Sequence, residues 1–139
     1  MGILEMFGKK DVGDALVRKI PYSLKVRFNP YRLSLKDKAA VDLLIDLENL
    51  RDEEPLLTSV VIRVPKQLGL DSMGLNQLRE IRLGYLKPGE IKNLRIEIYP
   101  TARTKPALYP ILLTAFCHYR DYSHILNSEK KRIELRVDA

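Results

Sequence analysis

Residues 107–126 read ALYPILLTAFCHYRDYSHIL. In the first half the side chains alternate along an extended chain. Tyr109, Ile111, Leu113, Ala115 and Cys117 fall on one face; Pro110, Leu112, Thr114, Phe116 and His118 fall on the other. Both faces are largely apolar, which predicts a strand in the middle of its sheet. The second half, HYRDYSH, predicts a polar and aromatic loop. The stretch holds the only cysteine, both histidines and three of the seven tyrosines, so it reads either as an active site or as the centre of a sheet. Strand geometry favours the sheet. Adjacent strand residues point to opposite faces, so Cys117 and His118 cannot form the thiolate–imidazole pair that a cysteine nucleophile needs. Cys117 is read as a small hydrophobe.

The same period of two recurs on both sides of this strand. Ile20, Tyr22, Leu24, Val26 and Phe28 alternate with Lys25 and Arg27, and Asn29-Pro30 turns the chain. Val41, Leu43, Ile45 and Leu47 alternate with Asp42, Asp46 and Glu48. LLTSVVIRV (56–64) is a strand stopped by Pro65, and Ile81 and Leu83 point inward in REIRLGYL (79–86). Leu94, Ile96 and Ile98 alternate in IKNLRIEIYP (91–100), and Ile133, Leu135 and Val137 in KRIELRV (131–137). Lys87-Pro88-Gly89-Glu90 is a turn, with Pro presetting φ at its second position and Gly accepting positive φ at its third. Asn49–Pro55 and residues 65–78 read as loops. The expectation is an all-β fold, an immunoglobulin-like antiparallel β-sandwich of about seven strands, with a barrel as the alternative. Residues 17–139 form that domain. Residues 1–16 are expected to be a flexible arm bearing the apolar cluster Ile3, Leu4, Met6 and Phe7.

Composition bounds the function. A chain of 139 residues, 45% hydrophobic and 30% charged, is one domain with enough apolar content for a core. A single cysteine excludes an internal disulfide and fits a cytoplasmic location. The start, MGILEMFGKK, lacks the pattern of a secretory signal, and no apolar run has the length of a membrane span. The net charge of +6 favours contact with acidic partners. Glutamine occurs only at Gln67 and Gln77 among many Lys, Arg and Glu, a composition that leans toward a thermophile. There is no Walker loop, dinucleotide glycine fingerprint, GxSxG elbow or HExxH helix. The carboxylates Asp42, Asp46 and Glu48 read as a solvated strand face.

The segments LGYLKPGE, NLRIEIYP, ALYPILLTAFCHYRD and RIELRV, with AAVDLLIDLENL before them, resemble the immunoglobulin-like modules of prokaryotic envelope and adhesion proteins of the CARDB type. The resemblance covers residues 20–137 and lies in turn and core positions. It implies the sandwich fold and assigns no functional residue. The chain differs in showing no signal and no tandem copies, and the combination points to a stand-alone archaeal protein.

The expectation for function is a non-enzymatic module without cofactor or metal. It binds another macromolecule, most readily a protein or a second copy of itself. Tyr119, Arg120 and Tyr122 are the contact residues, being types enriched in binding hot spots and set in an end loop. Ile3, Leu4, Met6 and Phe7 are a second contact. Three alternatives remain. The arm and basic charge could hold the chain at a membrane surface. His118, Asp121 and His124 could hold a metal or ligand. Lys25 and Arg27 on the first strand and Arg132 and Arg136 on the last could form one cationic stripe for nucleic acid, if those strands run side by side.

Overall fold

The computed structural model describes residues 21–139. The arm, with Ile3, Leu4, Met6 and Phe7, the domain boundary at residue 17, and Ile20 lie outside the described residues. Among the described residues the fold is all-β, with nine strands and no helix. The strands are β1 (Tyr22–Asn29), β2 (Arg32–Ser34), β3 (Val41–Asn49), β4 (Leu56–Arg63), β5 (Leu68–Gly69), β6 (Leu78–Leu86), β7 (Ile91–Pro100), β8 (Ala107–His118) and β9 (Ile125–Asp138). Seven of them match the alternating segments of the sequence. β2 and β5 are additions of three and two residues.

The strands form two sheets, in the orders β1-β3-β7-β5 and β2-β9-β8-β4-β6. All pairings are antiparallel except β2 with β9, which is parallel. Each sheet turns one face of its alternation inward, and the two share one core. From the first sheet come Tyr22, Leu24, Val41, Leu43, Ile45, Leu47, Ile96 and Ile98. From the second come Leu33, Val60, Ile62, Tyr109, Ile111, Leu113, Ala115, Cys117, Leu135 and Val137. Fully burying each aliphatic side chain contributes about 1.5–3 kcal/mol before entropy is charged.

β8 is the middle strand of its sheet, as its two apolar faces predict, although Leu108 and Leu112 on its outer face stay exposed. The last strand starts at Ile125 rather than Lys131, so the β8–β9 hairpin is longer than its alternation indicated. The cationic stripe does not form. β1 pairs with β3, and the strands that pair with β9 are β2 and β8. Lys25 and Arg27 therefore lie in one sheet, and Arg132 and Arg136 in the other. The reason is the short segment after Asn29-Pro30, which carries the chain from one sheet to the other.

Candidate functional site

The β8–β9 hairpin carries the residues singled out in the sequence. Its loop closes where the Tyr119 main-chain N–H donates to the His124 carbonyl at 2.9 Å. Arg120 takes a φ of 67°, in the left-handed region. Asp121 organises the rest: its Oδ1 accepts from the Ser123 N–H at 3.0 Å and the Ser123 hydroxyl at 2.6 Å, and lies 2.8 Å from His124 Nδ1. The Ser123 hydroxyl and the His124 ring hold its carboxyl down at about 2. The loop is thus organised by hydrogen bonds among its own residues.

Tyr122 is spent on structure. Its hydroxyl accepts from the Gly84 N–H at 2.9 Å, its ring meets His118 edge-on at 5.0 Å, and the Arg82 guanidinium sits 4.7 Å from the ring centre. Tyr119 and Arg120 remain outside. Tyr119 is 49% exposed, with the Arg120 guanidinium 4.9 Å from its ring centre. Ile125 and Leu126, the first two residues of β9, are 58% and 63% exposed. Their signal was present: two adjacent aliphatics directly after a polar loop cannot both face the core of one strand.

His118 is buried, with Nε2 2.7 Å from the Ser59 hydroxyl, and its Nδ1 finds no partner in the protein. Asp121 and His124 face each other in the exposed loop. The three residues His118, Asp121 and His124 are not brought together as a ligand set. Among the described residues no group of three or more His, Cys, Asp or Glu side chains is arranged to hold a metal. Cys117 points into the core, where burial pushes its thiol up and away from the reactive thiolate. Asp42 and Asp46 of β3 are engaged with neighbouring strands. Asp42 lies 3.0 Å from Arg95 Nε, and Asp46 accepts from Asn93 and lies 3.6 Å from Arg27.

A second feature adjoins the hairpin on the outer face of the larger sheet. Pairing places Arg63, Leu112 and Arg132 in one row across β4, β8 and β9, and Val61, Thr114 and Lys130 in the next. With Phe116 these residues line a groove of about 560 Å³. Its floor is apolar, cations stand on both sides, and no carboxylate lines it.

No protein-family model matches this chain, and no curated protein matches it. Solved structures do, at a distance. A Pseudomonas fluorescens alkylpurine DNA glycosylase, AlkC, bound to DNA with an abasic-site analogue, matches with 15% identity and a TM-score of 0.42; the match covers 86% of this chain and 31% of the glycosylase chain. A conjugative transposon lipoprotein from Bacteroides eggerthii matches with 15% identity and a TM-score of 0.43, over 83% of this chain and 96% of that one. At these scores the likeness carries no functional inference.

Proposed function

We propose that the chain is a non-enzymatic, immunoglobulin-like module that binds another protein through the β8–β9 hairpin. The observation that carries this reading is the set Tyr119, Ile125 and Leu126, three large side chains each exposed at the closed end of a hairpin whose loop is tied down by Asp121 and Tyr122. A tip held in this way loses little entropy on docking. Arg120 at the tip, and Arg63, Lys130 and Arg132 along the adjoining groove, add positive charge. The fitting partner surface is therefore apolar with carboxylates around it.

Support for the immunoglobulin-like type comes from strand neighbours. β1-β3-β7 and β9-β8-β4 correspond to the A-B-E and G-F-C orders of that fold. β5 stands where strand D would but precedes β6 in the chain. The CARDB resemblance enters the proposal on the same turn and core positions. A cytoplasmic location belongs to it too, on the single unpaired Cys117.

The test compares cross-linked capture from a native lysate by the wild-type chain and by a Tyr119→Ala/Leu126→Asp variant. Both residues are exposed, so the variant should melt within about 0.5 kcal/mol of wild type. Loss of one defined partner with unchanged melting supports the hairpin. Undiminished capture moves the site elsewhere, with Ile3, Leu4, Met6 and Phe7 next in line. The apolar-plus-basic tip also suits an anionic membrane surface. Sedimentation with phosphatidylserine vesicles, lost in the same variant and absent with phosphatidylcholine, would favour that second reading.

A further inference from the structure

Among the described residues β6 ends the larger sheet, with β4 as its one pairing neighbour. Among these residues no strand pairs with its other side. Natural edges are usually blunted by proline or by charges that repel a second strand. This edge has no proline, and its outer-face charges differ in sign: Glu80 and Arg82, both exposed, on either side of Ile81. Arg82 is held in position by the Tyr122 ring at 4.7 Å and by the Glu80 carboxylate, 3.6 Å from its Nε. Ile81 and Leu83 are only half-buried on the inner side.

We infer that β6 pairs antiparallel with β6 of a second copy of this chain, about a two-fold axis through Ile81. The register follows from elementary rules. Directly opposed residues must share a face of the sheet, so a self-pairing strand must be centred on a residue. Centred on Glu80, it sets Glu80 against Glu80. Centred on Arg79 or Arg82, it sets two arginines against each other. Centred on Leu83, it runs into the irregularity at Gly84, where φ is 73° and the β4 register shifts. Centred on Ile81, it opposes Glu80 to Arg82 twice, Arg79 to Leu83 twice, and Ile81 to itself. Opposite charges directly across an antiparallel pair stabilise it, and like charges destabilise it. The edge is thus self-complementary in one register. It lies on a different strand from the hairpin tip, and the inference stands apart from the proposed function.

The test is sedimentation equilibrium of the full chain over a range of concentrations. Wild type is expected to show a reversible monomer–dimer equilibrium that weakens with salt. Glu80→Arg and Arg82→Glu each place like charges in opposition at two points and should raise the dimer Kd roughly tenfold or more. The double variant Glu80→Arg/Arg82→Glu restores opposite charges and should return most of the affinity. Thermal melting of each variant, expected to stay cooperative with only a slight lowering for Arg82→Glu through loss of its contact with the Tyr122 ring, separates this effect from misfolding. A chain that stays monomeric at every concentration overturns the inference. So does a dimer indifferent to the single changes, or a double variant no better than the singles.

Discussion

Asn49 has no exposed surface, yet it is a polar residue at the end of β3. Its side-chain N–H groups donate to the carbonyls of Glu54 at 2.9 Å and Leu86 at 3.0 Å, and its side-chain oxygen accepts from the Arg51 N–H at 2.8 Å. Its main chain accepts from Gly89 and donates to Glu90. The side-chain amide thus joins the end of β3 to the loop after it and to the end of β6, and the main chain of the same residue holds the β6–β7 turn. Asn49→Ala leaves several of these groups buried without partners, and the expected loss of stability is about 2–4 kcal/mol by chemical denaturation. A loss under about 0.5 kcal/mol would mean that the loop finds other partners. The sequence placed Asn49 at the start of a polar loop, although it continues the inward phase of Val41, Leu43, Ile45 and Leu47. Tyr122 shows the reverse. As a residue type it marks a contact surface, but its hydroxyl and ring are consumed by Gly84, His118 and Arg82. Those partners come from β6 and β8, and no local pattern announces them.

At the scale of elements, the turn Lys87–Glu90 is as its residues require. Gly89 has a φ of 76°, and the Glu90 N–H donates to the Lys87 carbonyl at 2.9 Å. A side chain at Gly89 meets open space, so Gly89→Ala should cost only the backbone strain, about 1–2 kcal/mol, read as a lowered melting temperature. The long strands were legible because one face of each is buried and the other wet. β2 and β5 were not: three and two residues are too few to show a period, and they pair only because β9 and β7 lie beside them. The early part of β9 was hidden for another reason. Residues 125–132 are exposed or half-exposed throughout, so no inward phase marks them. In the candidate site, Tyr119 and Arg120 were visible as residue types, whereas Ile125 and Leu126 became a surface only once the hairpin closed.

For the molecule as a whole, alternation shows which way a side chain points but not which sheet a strand joins. That gap is why the four-cation stripe failed: the crossing after Asn29-Pro30 separates β1 from β2, and β2, not β1, is the one of the two that pairs with β9. The same crossing has a mechanical consequence. β2 and β9 run parallel, Arg32 to Ser34 beside Arg136 to Asp138. A stretching force applied through the two ends of the chain, after peeling β1 from β3, pulls these strands past each other lengthwise. Their bonds then share the load at once rather than breaking in turn. By contrast, handles at Leu108 and Arg136, directly opposed in the open end of the β8–β9 pair, would part the ladder one rung at a time. In single-molecule pulling, rupture through the ends is expected at distinctly higher force than rupture through Leu108 and Arg136. Equal forces would show that the parallel pair bears no load. A three-residue strand too short to be read from its sequence would then be the clasp on which the tensile strength of the molecule rests.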